Sequence, residues 1–270
     1  MREMKRLARK PRKNMTHVGL LPIFHYAQID STNSEAERLL ATGELPPFVV
    51  IADEQTRGRG RCGRCWRSHC HGNLYASFAF RASCSVAELH LFTLWMGVRL
   101  CDFFNTQLQT SLKVKWPNDL FYDGRKVAGM LTETRLEGDR LSSLIFGLGL
   151  NVNDDPSVAA PELAGSASYL AEAVGRSLPF ESLTASVIDA VAQSYTAFRE
   201  VGYKKLFWTL WARYDALKGK AIAVNHSSGQ QLFGTAEGLS EEGALRLRDT
   251  EGRIVTMHAG DVVIPATVAR

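Results

Sequence analysis

Residues 112–151, LKVKWPNDLFYDGRKVAGMLTETRLEGDRLSSLIFGLGLN, decide the fold class. Residues 112–116 alternate apolar and polar and stop at Pro117, which cannot donate to a strand ladder. Asp123-Gly124 reads as a hairpin turn between strands at 120–122 and 126–135. Glu137-Gly138-Asp139 turns the chain again into a strand at 141–151. Strands joined by such short turns pair antiparallel, because parallel pairs need long crossovers. The expected class is therefore α+β, with a mixed, mainly antiparallel sheet flanked by helices.

Upstream, residues 22–30 read as a strand. Thr32 and Glu35 form a capping-box pattern opening a helix that Gly43 ends. Residues 48–52 read as a buried strand, and 74–80 as a strand with Leu74, Ala76, Phe78 and Phe80 on one strongly apolar face. Ser85 and Glu88 repeat the capping-box pattern before a long apolar helix at 89–104, whose aromatics read as core. Downstream, 152–167 reads as a polar, small-residue loop, followed by helices at 180–200 and 203–215. After Lys218-Gly219-Lys220, five short strands separated by turn glycines predict a small SH3-like β-barrel. The expected organisation is a basic, disordered tail over 1–21, a catalytic domain over 22–218 and the small β domain over 219–270.

The chain has 270 residues, 45% hydrophobic and 22% charged, which excludes disordered, collagen-like and disulfide-scaffold classes. No run reaches the roughly 18 consecutive apolar residues of a membrane span. No secretory signal pattern is present, and five cysteines cannot all pair within the chain, so reduced thiols and a cytoplasmic location are expected. The net charge of +4 hides a local +6 in residues 1–13 and +5 in residues 57–67, leaving −7 for the rest.

Four segments carry chemistry. In Gly58-Arg59-Gly60-Arg61-Cys62-Gly63-Arg64, glycines expose backbone N–H groups and arginines supply charged forks suited to phosphate. The segment matches neither a Walker loop nor a dinucleotide fingerprint; arginine–glycine segments also bind RNA or stay solvated. Its place between two good strands favours a small-molecule phosphate site. Lys115-Trp116-Pro117-Asn118-Asp119 gathers a cation, an amide and a carboxylate at a strand end, either a polar turn or a nucleotide and metal site. Lys126-Val127-Ala128-Gly129 and Gly147-Leu148-Gly149-Leu150-Asn151 leave strand faces bare enough for a ligand to lie on the backbone.

Ser31-Thr32-Asn33, Gln55, the 58–64 loop with Trp66, Lys115 to Asp119, Lys126 to Gly129 and Gly147 to Asn151 follow the order and spacing of the biotin–protein ligases, which the chain resembles from about residue 23 onward. That resemblance implies a catalytic domain like those of class II aminoacyl-tRNA synthetases, and the short form that lacks an N-terminal DNA-binding domain. It also implies a two-step reaction. Biotin and MgATP give biotinyl-5′-AMP, and a lysine of the biotin carboxyl carrier protein of acetyl-CoA carboxylase then displaces AMP. It implies biotin binding by Ser31, Thr32, Asn33, Gln55, Arg59, Gly60, Arg61, Lys126, Gly129, Gly147 and Gly149. Nucleotide binding falls to Arg59, Arg61, Arg64, Trp66, Lys115, Asn118 and Asn151. Arg61, Lys126, Asp119 and Lys115 are the catalytic expectations, with Asp119 as the Mg²⁺ ligand.

Two departures stand out. Many relatives carry a basic residue where Cys62 stands, and often another at Cys65. Longer relatives begin with a winged helix-turn-helix, whereas only some twenty residues precede the first strand here; no specific DNA binding is expected. Cys62, Cys65, His69, Cys70 and His71 have zinc-ligand chemistry at a spacing that fits no standard finger, so no zinc is expected. The enzymatic rival is a lipoate–protein ligase or octanoyltransferase relative. The rival of another class is a nucleic-acid-binding module. Whether the chain pairs with a second copy is left open, and no membrane partner is expected.

Overall fold

The computed structural model describes residues 14–18, 21–68, 72–82, 88–137, 140–225 and 229–265. The first half runs β1 (Asn14–Val18), β2 (Leu21–Ile29), α1 (Thr32–Ala41), β3 (Phe48–Gln55), β4 (Gly58–Arg59), β5 (Cys65–Trp66), β6 (Leu74–Arg81) and α2 (Leu89–Leu108). The central meander follows as β7 (Lys113–Lys115), β8 (Asp119–Tyr122), β9 (Arg125–Glu137) and β10 (Arg140–Leu150). Then come α3 (Pro156–Ala159), α4 (Leu170–Val174), α5 (Phe180–Phe198) and α6 (Tyr203–Tyr214). The chain continues in β11 (Ala221–Asn225), β12 (Gln231–Leu239), β13 (Leu245–Arg248), β14 (Ile254–Met257) and β15 (Asp261–Val263).

Eight strands form one sheet in the order β1-β2-β3-β6-β10-β9-β8-β7. Only β2 and β3 pair parallel; the other neighbours are antiparallel, as the short turns of the meander require. Asp123 and Gly124 both have positive φ, 47° and 75°, the backbone that a two-residue hairpin turn demands. One face of the sheet carries α2, α5 and α6 over a large apolar core that includes Phe78, Phe92, Trp95, Phe104 and Phe146. Fully burying a side chain of this size stabilises by roughly 1.5–3 kcal/mol. The other face is covered only partly, by α1 packed through Ala36, Leu39 and Leu40 onto Phe48, Val50, Ala79 and Ile145. The uncovered remainder of that face is where a ligand can reach the sheet.

The second sheet is antiparallel, in the order β14-β13-β12-β11-β15. Its fifth strand, β15, returns beside its first, β11, folding five short strands into the expected small C-terminal β domain. It is joined to the first domain where Trp116 Nε1 donates to Gly243 O at 3.1 Å. No helix among the described residues is long and apolar enough to cross a membrane.

Several local expectations are corrected. The stretch expected to be disordered contains β1, which pairs with β2 from Asn14↔His25 to Val18↔Leu21; residues 1–13 lie outside the described residues. The capping box at Thr32 and Glu35 does not form. The N-cap is Ser31, with no side-chain cap bond. Thr32 instead turns its N–H and hydroxyl to Gln55 Oε1, and Glu35 accepts from Tyr26 and Arg38. Strand β6 is buried on both faces up to Phe80, because α1 covers the side opposite α2. Helix α2 runs to Leu108 and ends at Gln109, φ 54°; Ser85 lies outside the described residues. The 152–167 loop contains α3, opened by Asp155 accepting from Ser157 N with Pro156 in the first turn.

Candidate functional site

The site lies on the half-covered sheet face, between α1, β10, β9 and the β4–β5 hairpin. Its floor is made by glycines. A Cβ on Gly147 would collide with the Asn33 amide, and one on Gly149 with the Trp66 indole; one on Gly129 would stand 2.7 Å from Trp66 Cζ3. Gly149 and Gly129 are register partners on β10 and β9, so the bare patch spans two strands. These strands need glycine for close approach rather than for backbone freedom.

One end of the cavity is polar and buried. Ser31, Thr32, Asn33 and Gln55 are each at most 7% exposed. They are bonded to each other and to their neighbours. Gln55 Nε2 donates to Ser68 Oγ at 3.0 Å, Ser77 Oγ donates to Thr32 Oγ1 at 2.7 Å, and Ser77 also meets Asn33 Oδ1. Asn33 Nδ2 donates to Glu133 Oε2 at 2.7 Å, and the same oxygen takes Arg59 Nη2 at 2.6 Å. Such a network holds its members in fixed geometry.

The other end is cationic. Arg61, Arg64 and Lys126 border the same cavity. Burial presses the Arg61 guanidinium down from its ordinary value, partly offset by Asp119 and Asp261. Among the described residues its one side-chain hydrogen bond is to Asn118 Oδ1 at 3.4 Å. A half-buried cation with so weak a partner is stabilised by an incoming anion. Burial lowers the Lys115 ammonium in the same way. Lys126 Nζ sits 2.7 Å from Asp119 Oδ1 and 5.2 Å from the Trp66 ring centre. The Trp66 indole N–H is buried with no hydrogen-bond partner among the described residues.

A second cavity adjoins the first, with Arg64, Cys65, Trp66, Asp119, Lys126 and Asp261 bordering both. It adds Lys115, Phe121, Gly124, Asn151 and Ser166 to Ala167. The two chambers therefore meet at the seam of Trp66, Lys126 and Asp119.

Every sequence-predicted site residue lies among the described residues, and each borders one or both of these chambers. Asn118 and Asn151, both expected to bind nucleotide, line different chambers. Asn118 lines the first chamber, donating from Nδ2 to Met130 O at 2.7 Å, while Asn151 lines the second and donates to Ser168 O at 2.9 Å. Sequence reasoning missed Ser68, Ser77 and Glu133, which orient the polar end. It also gave no role to Asp261 of β15, which pairs with Arg64 at 3.0 Å and so brings the second sheet to the site. Glu133 carried one available signal, a carboxylate between Thr132 and Thr134 in the interior of β9. Of the zinc-like set, His69, Cys70 and His71 lie outside the described residues.

Residues 26–151 match the model of the "Biotin/lipoate A/B protein ligase family", and residues 219–264 that of the "Biotin protein ligase C terminal domain". The chain is 30% identical over 250 residues to the biotin–[acetyl-CoA-carboxylase] ligase of Mycobacterium tuberculosis, covering 88% of this chain and 86% of the relative. It is 28% identical over 242 residues to the bifunctional ligase/repressor BirA of Bacillus subtilis, covering 89% and 73%. Among solved structures, the biotin protein ligase from Aquifex aeolicus in complex with biotin and ATP superposes with a TM-score of 0.74 at 27% identity, covering 89% of this chain and 97% of that one. With residues 26–151 and 219–264 matched by the two models and a relative 30% identical over 88% of the chain, the chain belongs to the biotin protein ligase family.

Proposed function

We propose that the chain is an ATP-dependent ligase that activates biotin as biotinyl-5′-AMP and transfers the biotinyl group to a lysine of a biotin carboxyl carrier protein. The observation that carries this reading is one cavity with a buried polar end, a glycine floor and a cationic end, opening at that cationic end into a second chamber.

The polar end suits a cyclic urea, which offers two N–H donors and one carbonyl. Ser31, Thr32, Asn33 and Gln55 supply matching hydroxyl and amide groups there. A lipoyl dithiolane has no such groups and would leave those side chains facing sulfur and carbon, a mismatch that costs several kcal/mol when polar groups are left unpaired. The glycine floor at Gly129, Gly147 and Gly149, with Gly60 in the hairpin above, leaves room for the flat bicycle and its chain. The carboxylate would then lie among Arg59, Arg61 and Lys126.

In the first step a biotin carboxylate oxygen attacks the α-phosphorus of MgATP, and pyrophosphate leaves. Both reactants are anions, so the cations offset their repulsion and stabilise the charge that develops between them. Lys115, Arg64 and Trp66 border the second chamber, where the nucleotide would sit, with Asn151 at its far wall and Asn118 on the biotin side of the seam. In the second step the carrier lysine attacks the acyl carbon and AMP leaves with the bonding pair of the C–O bond. A free lysine ammonium has a pKa of about 10.4, so it must lose a proton first. Asp119, at the seam, is the carboxylate placed to receive it.

Asp119 and Asp261 border both chambers, each already paired with a cation. Such a donor set fits a Mg²⁺ that arrives held by the triphosphate, with one or two protein carboxylates completing its shell. Magnesium supplies charge neutralisation of the leaving pyrophosphate. A cytoplasmic setting, with ATP available and thiols reduced, accords with this chemistry. The test is biotin-dependent exchange of pyrophosphate into ATP, followed by transfer of biotin to a purified carrier domain. Exchange driven by lipoate and not by biotin would refute the reading.

A further inference from the structure

The β4–β5 hairpin carries two exposed cysteines that the reaction does not use, Cys62 and Cys65. They are separated by two residues in a closed turn. Gly60 N donates to Arg64 O at 2.7 Å and Arg64 N donates to Arg61 O at 3.1 Å. Cys62 and Gly63 both have positive φ, 54° and 73°, so the chain reverses between the two thiols. Both cysteines border one outer cavity, together with Arg57, Arg59, Arg61 and Arg64, against the carboxylates of Asp30 and Glu133. The third described cysteine, Cys101, differs in every respect. It is buried in α2, its thiol is pushed up to about 12 by burial, and it donates to Leu112 O.

From this juxtaposition we propose that Cys62 and Cys65 are an oxidative modification site: low-molecular-weight disulfides convert them to an intra-hairpin disulfide that fixes the turn over the biotin cavity. One cysteine thiolate attacks the small disulfide, forming a mixed disulfide and releasing one thiolate. The second cysteine thiolate attacks the cysteine sulfur of that mixed disulfide and releases the other thiolate. The two cysteine sulfurs are oxidised, the small disulfide is reduced to two thiols, and these take up the two protons the cysteines lose. Anionic disulfides such as oxidised glutathione are drawn to the surplus of arginine around the cavity. Arg61 and Arg64 flank the crosslink directly. Arg61 reaches Asn118 and Arg64 reaches Asp261, so a crosslink that fixes the turn would restrict how both cations shift to meet a ligand.

The experiment treats the full-length reduced protein with oxidised glutathione and maps the cysteines by peptide mass. The expected product is a peptide spanning residues 62–65 that is lighter by two hydrogens. Biotin-dependent ATP–pyrophosphate exchange should fall roughly tenfold or more, the scale of a small misplacement of a charged group, and return on reduction. Cys62→Ser should keep the reduced wild-type rate and lose the response, and Cys65→Ser should lose the response relative to its own reduced rate. The proposal is overturned if mapping finds only glutathione adducts or a bridge to Cys70. It is also overturned if the crosslink leaves the rate unchanged, or if the response persists in both serine variants. Since the exchange readout rests on the biotin reading, the mass result is decisive on its own, and a protein that exchanges nothing before oxidation refutes that reading instead.

Discussion

Gly147→Ala tests the glycine floor most directly. The residue sits in the middle of β10, paired with Ser77 on β6 and Leu131 on β9, in ordinary extended backbone. Alanine therefore costs nothing in backbone strain, and any penalty must come from what its methyl group meets. That group is the Asn33 amide, whose Cγ and Nδ2 stand 3.0 and 3.1 Å from the new Cβ, with Oδ1 closer still. Asn33 is 4% exposed and tied at both ends, to Ser77 by its oxygen and to Glu133 by its nitrogen. It can give way only by breaking one or both bonds. A neutral bond contributes about 1 kcal/mol and one to a carboxylate about 1.5–3 kcal/mol, while overpacking of a tight interior costs about 1–3 kcal/mol. The expected loss of stability is thus about 2–3 kcal/mol by urea denaturation, with biotin affinity falling about tenfold or more by titration calorimetry. In an Asn33→Ala background the same substitution should cost less than about 0.5 kcal/mol, giving a coupling energy of about 2 kcal/mol. Equal costs in the two backgrounds, or a cost near zero in the parent, would show that Asn33 does not rest on that glycine.

Arg61→Ala should slow formation of biotinyl-5′-AMP by about a hundredfold, the loss of one oxyanion-type contact; an unchanged rate in single-turnover mixing would remove Arg61 from the reaction. Lys126→Ala breaks the pair with Asp119 and should lower both half reactions, read separately as pyrophosphate exchange and as transfer from preformed biotinyl-5′-AMP. His90 gives a pH prediction. Burial, with Arg61 nearby, presses its imidazole from 6.5 down to about 4, so the folded protein keeps it neutral where the unfolded chain protonates it. Its contribution to stability is whole above pH 6.5 and is lost as pH falls from 6.5 toward 4. His90→Gln should flatten the fall in melting temperature across that window, and parallel curves for the two proteins would contradict the assignment.

How far the sequence could be read depended on whether a residue's role was local. The meander was legible because alternation and Asp123-Gly124 leave one geometry open, and β8, β9 and β10 appear within a residue or two of their expected bounds. The bare strand faces at Gly129, Gly147 and Gly149 were legible because glycine in a strand needs a reason. Thr32 shows the opposite case. Its spacing to Glu35 satisfies a helix-capping rule, yet the structure spends its hydroxyl on Gln55, twenty-three residues away. Local pattern lost there to a tertiary contact at the site itself. Ser77 reads as one small polar residue on an apolar strand, and only the packing of α1 against β6 reveals it as the partner of Thr32 and Asn33. Asp261 was beyond reach, since its partner Arg64 lies in another domain and nothing near either residue encodes the meeting.

The contact between Arg64 and Asp261 also bears on how the protein is made. Synthesis runs from the N terminus, so the eight-stranded sheet and all four arginines of the 57–64 segment leave the ribosome well before residue 261. At that stage Arg64 lacks its carboxylate, and Trp116 Nε1 lacks the Gly243 carbonyl that anchors the second sheet. A nascent chain can thus fold its larger domain while its cleft still lacks one wall. Arg64 would gain its carboxylate last, when β15 docks beside β11.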